Sequence, residues 1–317
     1  MRPWLPRDAC VLGLLGMVGA TKIALACVLA LGAAGISASA QDSQPQARLA
    51  REWVAAASAF ESYTTHGAEI RPGFASGREV AGAVTVGAAH EPRQLEAGMI
   101  AYAALAAVQE PAFVDSVQRL AGDARDRADL IHRLADEPQS VMGLPGADAA
   151  AGRAQAALLA QIEPLIADGR RVKQAAYDVQ HSAWSKGPIA DPAGRLTRVK
   201  AISARAFEPA DADAERLFQA VTRAEPGAGG APTPVVVRGL ALAALALSGA
   251  AGEDTVDAVR PLMSEPRSAA CMHLAKLNLF QCMAVAGPHY EDVFCLGQHA
   301  MIEPGQCMAD AAGGQAR

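Results

Sequence analysis

The sequence predicts an all-α protein of antiparallel helical hairpins, and three observations carry that reading. Apolar residues recur at helical spacing nearly everywhere, with no convincing period-two run of strand type. Aromatic residues make up only 4% of a chain dominated by alanine, the best intrinsic helix former. Finally, Glu-Pro recurs at 91–92, 110–111, 137–138, 163–164, 208–209, 225–226, 265–266 and 303–304. Proline lacks an amide hydrogen and is tolerated in the first helical turn, where that donor has no partner anyway. A glutamate beside it complements the positive helix N-terminus, so these pairs mark junctions between consecutive helices.

The elements follow in order. A first helix over 46–65 gives way to a loop, Gly67–Ala75, and Ser76-Gly77-Arg78-Glu79 is a capping box that starts a second helix over 77–90. Glu-Pro junctions then divide helices at 92–109, 111–122, 124–137, 148–167 and 170–185. The segment Lys186–Gly194, with Gly187-Pro188 and Asp191-Pro192, reads as a linker. Beyond it lie helices at 195–207, 211–224, 234–249, 253–264, 267–285 and 290–303, with a loop at Pro226–Pro234. The thirteen residues Val235–Leu247 are interrupted by Arg238 and Gly239 and are too short to span a bilayer, so they predict a buried core helix.

The N-terminus predicts export. Lys22 precedes an apolar run from Ile23 to Ile36, and Ala38-Ser39-Ala40 follows it, which is a signal peptide over 1–40 with cleavage before Gln41. Starting at Met17 would give a compact 24-residue signal. The rival reading is an anchor left uncleaved. Cys27 sits inside the apolar run without the leucine that a lipidation site wants three residues earlier. Without residues 1–40 the chain keeps 25 basic and 32 acidic residues, a net charge of −7. That balance gives no reason to bind nucleic acid, and no stable membrane span is expected after cleavage.

Two units are predicted, 41–185 and 195–310, separated by the 186–194 linker and followed by a disordered tail at 311–317. The halves echo each other. Val114-Asp115-x-Val117-x-x-Leu120 recurs as Val256-Asp257-x-Val259-x-x-Leu262, His132 matches His273, and Gly98 matches Gly239. Ile162-Glu163-Pro164 recurs as Ile302-Glu303-Pro304, and the preserved order predicts a tandem duplication.

Cys271, Cys282, Cys295 and Cys307 remain after signal removal, and an even number in an exported chain predicts disulfides. Cys271 and Cys282 are about 16 Å apart along a helix and cannot bond each other. The pairs 271/307 and 282/295 are both centred on the turn Gly287-Pro288-His289. Two nested bonds, Cys271–Cys307 and Cys282–Cys295, are therefore predicted across a helical hairpin. The outer one is threatened by Pro304-Gly305, which is expected to end the second helix early. A zinc site would want close pairs such as C-x-x-C, which are absent. Over this hairpin alone the arrangement resembles the clamp of coiled-coil-helix domains, with a different cysteine spacing.

The densest mixture of aromatic, acid, base and cation follows the first helix: Tyr63, His66, Glu69, Arg71 and Phe74. Binding residues often sit on such loops, and His66 with Glu69 could act as an acid–base pair if they converged. The bland alternative is a connector whose aromatics pack and whose charges face water. The hairpin tip His289-Tyr290-Glu291-Asp292, with His299 and Glu303, offers metal-ligand types, but no spacing selects a metal. Trp53 and Trp184 read as core or interface anchors. There is no G-x-S-x-G, P-loop, G-x-G-x-x-G or H-E-x-x-H, so no catalytic, cofactor or metal residue is assigned and no cofactor is implied.

The function expected is thus a non-enzymatic helical scaffold or adaptor in the periplasm or outside the cell, whose partner is another envelope protein or a cell-wall component. The alternatives are an exported cell-wall hydrolase, with Glu61 or Glu69 as its best carboxylates, and a small-molecule binder using the 63–74 loop or a pocket between the two halves.

Overall fold

The structure, a computed structural model, describes residues 48–224 and 230–314. The expected signal peptide and cleavage point, residues 225–229 of the expected loop and residues 315–317 of the expected tail lie outside the described residues. Among the described residues there are thirteen α-helices and no strand. They are α1 (Arg51–Ala68), α2 (Gly77–Ala88), α3 (Pro92–Ala107), α4 (Pro111–Gly122), α5 (Ala124–Asp136), α6 (Ala147–Val179) and α7 (Pro192–Ser203). The remainder are α8 (Asp211–Arg223), α9 (Pro234–Leu247), α10 (Val256–Val259), α11 (Pro266–Val285), α12 (His289–Cys295) and α13 (Glu303–Ala312), with a π-helical turn, Leu296–Ile302, joining the last two.

Several helices start as the sequence dictates. Pro92, Pro111 and Pro266 each open a helix. The Glu91 carboxylate accepts the amide of Gln94 at 2.8 Å, and that of Glu265 accepts the amide of Ser268 at 2.8 Å. The glutamate of Glu-Pro is therefore a true side-chain cap at these two sites, beyond its charge on the helix dipole. Ser76 Oγ accepts the amide of Glu79, while the Glu79 carboxylate reaches back to the amide of Ala75.

Two Glu-Pro pairs do not divide helices. Pro164 lies inside the 33-residue α6, which replaces the two helices expected at 148–167 and 170–185. An interior proline costs about 3 kcal/mol. Burial offsets that cost here, because α6 packs on α1, α3 and α9 and also on the C-terminal helices. Pro304 likewise sits within a helical run that continues to Ala312. It follows the π-turn, and the carbonyl four residues before it, on Ala300, accepts the hydroxyl of Tyr63 at 2.7 Å.

At the centre α3 packs between α1 and α9. In α9 every residue from Val235 to Leu247 except Arg238 is buried, as a helix apolar on all sides requires. Close approach depends on the matched glycines: a Cβ on Gly98 would collide with the Ala56 carbonyl, and one on Gly239 with Ala103. No single helix among the described residues is long and apolar enough to cross a membrane.

The C-terminal hairpin holds the nested pairing read from the cysteine spacing. Cys271 bonds Cys307 and Cys282 bonds Cys295, each pair with Cα atoms 5.7 Å apart. The segment after α6 docks on the tip of this hairpin: the amide of Ile189 donates to Gly287 O at 2.8 Å, and that of Tyr290 to Ser185 O at 3.3 Å. Arg195, buried, bonds Asp292 and the carbonyl of Met283, which ties α7 to the same turn.

Candidate functional site

The 63–74 region is divided between two environments. Helix α1 runs to Ala68, three residues past its expected end, because the amide of Glu69 closes the last turn onto Thr65 O and His66 O. Tyr63 is consequently a helical, buried residue whose ring packs 4.3 Å from that of His90. Its hydroxyl points at Ala300, away from solvent. Burial raises its pKa above the usual phenol range. Phe74 packs on the core, while His66, Glu69 and Arg71 are exposed. Arg71 donates to Ala68 O at 3.1 Å.

Glu61, one of the two carboxylates singled out in the sequence, is buried on α1 and saturated. Arg216 Nε donates to both its oxygens, at 3.0 and 3.1 Å, and Thr65 Oγ1 donates at 2.9 Å. Arg216 also binds Ser62 Oγ at 2.9 Å and Asp213 at 2.7 Å. Desolvation pushes the Asp213 carboxyl up, but the amide of Ala210, the guanidinium of Arg216 and His66 outweigh it and hold the group below its ordinary value. This is a structural clamp of α8 onto α1, with both Glu61 oxygens already bonded.

A cleft of about 500 Å³ opens between the start of α3, α7 and α11, with Glu91, Arg93, Lys200 and Phe280 on its walls and Ser203 and Lys276 at its base. Lys276 is the only Lys, Arg, Asp or Glu of Ala269–Val285, and it is buried. Its Nζ lies 3.2 Å from Ala88 O, 3.2 Å from Ser203 Oγ and 3.3 Å from Nδ1 of His90. Burial pushes its pKa down to about 7, against a smaller upward pull from Glu91. Burial, then the Lys276 charge, holds His90 well below its ordinary value, so that ring is neutral and its Nδ1 can accept. Ser203 spends its own proton on Ala88 O at 2.9 Å. A serine beside a lysine of lowered pKa has the composition of a nucleophile and its base. The geometry is that of an ammonium capping the C-terminus of α2, with an acceptor for each of its three N–H groups.

At the hairpin tip Asp292 is raised by burial, opposed by Arg195, with which it pairs at 2.5 Å. Glu291 accepts the amide of Gly287 at 2.7 Å. His299 Nδ1 lies 2.9 Å from Glu303 Oε1. Among the described residues no group of three or more His, Cys, Asp or Glu is placed to hold a metal.

Two further hollows meet along the C-terminal half of α6. One, of about 360 Å³, is lined by Arg170, Lys173, Gln174 and Tyr177 of α6 facing Gln298 and Gln306. The other, of about 320 Å³, shares Tyr177 and lies against Val285, Tyr290, Phe294 and the Cys282–Cys295 bond. Tyr177 is 48% exposed and Val285 82%. The Tyr177 and Phe294 rings meet edge to face at 6.4 Å, and Lys173 Nζ lies 5.4 Å from the centre of the Phe294 ring. No sequence motif marks this face, although 170, 173, 174 and 177 follow helical spacing and signal one common side. Its second wall comes from a segment 120 residues away and leaves no local signal.

No protein-family model, characterised protein or solved structure matches the chain.

Proposed function

We propose that this protein is an exported, non-enzymatic helical scaffold that holds an envelope component on the face between α6 and the disulfide hairpin. The observation that carries the reading is the pair of hollows meeting at Tyr177 on a surface braced by two disulfides. Bonded cysteine pairs are consistent with an oxidising location, and the signal peptide read from the sequence supplies the route, most simply to the periplasm. The saturated Glu61 favours binding over catalysis, since Arg216 and Thr65 already occupy its carboxylate.

Site-specific photo-crosslinking in cells tests it. A crosslinker at Tyr177 should give a discrete adduct, with protein or with cell wall, that is absent when it is placed at exposed Gln219 on α8. Equal, diffuse labelling from both positions would sink the proposal.

A second reading, a small-molecule carrier, is favoured by the cleft above Lys276, which lies between helices of the two expected halves. Its test is a soaked mixture of exported metabolites, with a ligand recovered from that cleft in a co-crystal structure as the supporting result.

A further inference from the structure

Capping α2 accounts for an ammonium group beside Ala88 O, but it does not account for the cleft of about 500 Å³ that reaches Lys276. A helix end asks only for a positive charge near its last carbonyls. Among the described lysines, Lys173, Lys186, Lys200 and Lys276, only the last is buried. Each group that bonds it is uncharged: Ala88 O, Ser203 Oγ and the neutral ring of His90. Burial lowers its pKa to about 7, so about half of these side chains are free amine at pH 7, against about 0.04% of ordinary lysines. A desolvated lysine of this kind is a nucleophile toward carbonyl carbon.

The hydrogen bonds change with the proton. The ammonium has a donor for each of its three neighbours; the free amine has two N–H groups and a lone pair. One acceptor then faces the lone pair, and a shift of Nζ toward the cleft relieves that repulsion. The cleft selects the partner by its lining. Glu91 and Glu96 stand against Arg93 and Lys200, a balance that favours neither an anion nor a cation. Glu91 already accepts the amide of Gln94, and Glu96 accepts from Ser264 and the amide of Glu265. Phe280 and Ala270 add apolar surface, and the volume lies within the range for small-molecule pockets, about 300–1,000 Å³.

We propose that Lys276 binds an uncharged aldehyde or ketone covalently, as an imine formed at the base of this cleft. The inference rests on the carrier reading of the cleft and names the class of molecule carried. The Nζ lone pair attacks the carbonyl carbon, a C–N bond forms and the C=O pair moves onto oxygen. The nitrogen gives up its two protons, the oxygen leaves with them as water, and a C=N bond remains. Addition of water reverses the step and releases the ligand.

The experiment exposes the native, disulfide-intact protein at pH 7 to benzaldehyde and sodium cyanoborohydride, whose hydride reduces an imine to a stable benzylamine. Peptide mapping by mass spectrometry then reads each lysine. Lys276 should be benzylated at least about tenfold faster than exposed Lys186; the gain falls short of the ratio of free amines because a less basic nitrogen is a weaker nucleophile. This comparison within one protein needs no variant. Ala270→Trp, which adds bulk to the exposed cleft wall, should slow labelling of Lys276 at least about tenfold and leave Lys186 unchanged. Labelling of Lys276 no faster than Lys186, or undiminished in Ala270→Trp, overturns the inference. A crystal soaked in benzaldehyde separates the two readings. Benzaldehyde lying unattached in the cleft of a protein whose Lys276 resists labelling keeps the carrier and removes the imine. An empty cleft with unlabelled Lys276 removes both.

Discussion

Replacing Lys276 with methionine should change the pH dependence of stability more than stability itself at any one pH. Burial lowers the lysine pKa to about 7 in the folded chain, whereas an unfolded lysine titrates near 10.4. Between those values the unfolded state binds more protons than the folded one, so stability contributed at this site rises with pH. Below pH 7 the full penalty for carrying the buried charge applies; above the unfolded pKa it vanishes. Integrating between pH 7 and pH 9 gives a gain of about 2 kcal/mol for the native protein relative to Lys276→Met, with half of the folded lysines already neutral at the lower limit. His90 feels the Lys276 charge, but burial is the larger cause of its lowered pKa and keeps the ring neutral in both proteins over this range, and the remaining groups are common to both and cancel in the difference. The assay is urea denaturation of both proteins at pH 7, 8 and 9, with the disulfides intact. The methionine variant also leaves Ala88 O, Ser203 and His90 without their donor, which shifts its stability by a roughly constant amount. A difference between the two proteins that stays flat across this pH range would refute the reasoning, because it would mean that Lys276 keeps an ordinary pKa.

Tyr63→Phe removes the donor to a buried carbonyl and should cost about 1–3 kcal/mol by urea denaturation; a neutral result would mean that Ala300 O has another partner. Opening the two disulfides separately, by Cys→Ser pairs, should cost more for Cys271–Cys307, which closes 36 residues, than for Cys282–Cys295, which closes 13. The loop-entropy difference is about 1 kcal/mol, and a reversed order of melting temperatures would count against it. Arg216→Ala strands the buried carboxylate of Glu61 and should destabilise by about 3 kcal/mol, with Glu61→Gln restoring part of the loss in the double variant. Mass spectrometry of the protein recovered from the envelope should find Gln41 at its N-terminus, and any other start contradicts the signal peptide read from the sequence.

The parts of the fold legible in the sequence are those decided by contacts a few residues apart. Caps at Ser76, Glu91 and Glu265, prolines at helix starts, and the all-round apolar character of Val235–Leu247 each have a local cause, and each is where it was expected. The cysteine pairing was legible for a related reason: in a tight hairpin, equal distance from the turn fixes which residues face each other. What the local pattern could not supply is the environment contributed by remote segments. Pro164 reads as a break because its ring disrupts the helix ladder locally; the compensating burial comes from α1, α3 and α9. Tyr63 reads as part of a polar loop because His66, Glu69 and Arg71 follow it, and only the placement of Ala300 turns its hydroxyl inward. Lys276 carried a signal that was there to be read, a lone charge in an otherwise uncharged run of α11. Which acceptors satisfy it depended on α2 and α7.

Helix α1, the π-turn and the outer disulfide form one connected arrangement around Pro304. In an unbroken α-helix the amide at position 304 would bond Ala300 O, and proline has no amide hydrogen to give. A carbonyl released in this way and buried would cost as much as any lost hydrogen bond. Tyr63 supplies the missing donor from α1, while the π-turn over Leu296–Ile302 absorbs the change of register before the proline. The helix can therefore continue past Pro304 and bring Cys307, three residues on, to Cys271. Had the helix ended there, as the Pro-Gly pair suggested, Cys307 would have left the hairpin face and the outer bond would have no partner in reach. The same continuation keeps Gln306 in line with Gln298 and Ile302. The wall of the hollow facing α6 and the outer clamp of the hairpin thus meet at one hydroxyl group donated from a helix more than two hundred residues upstream.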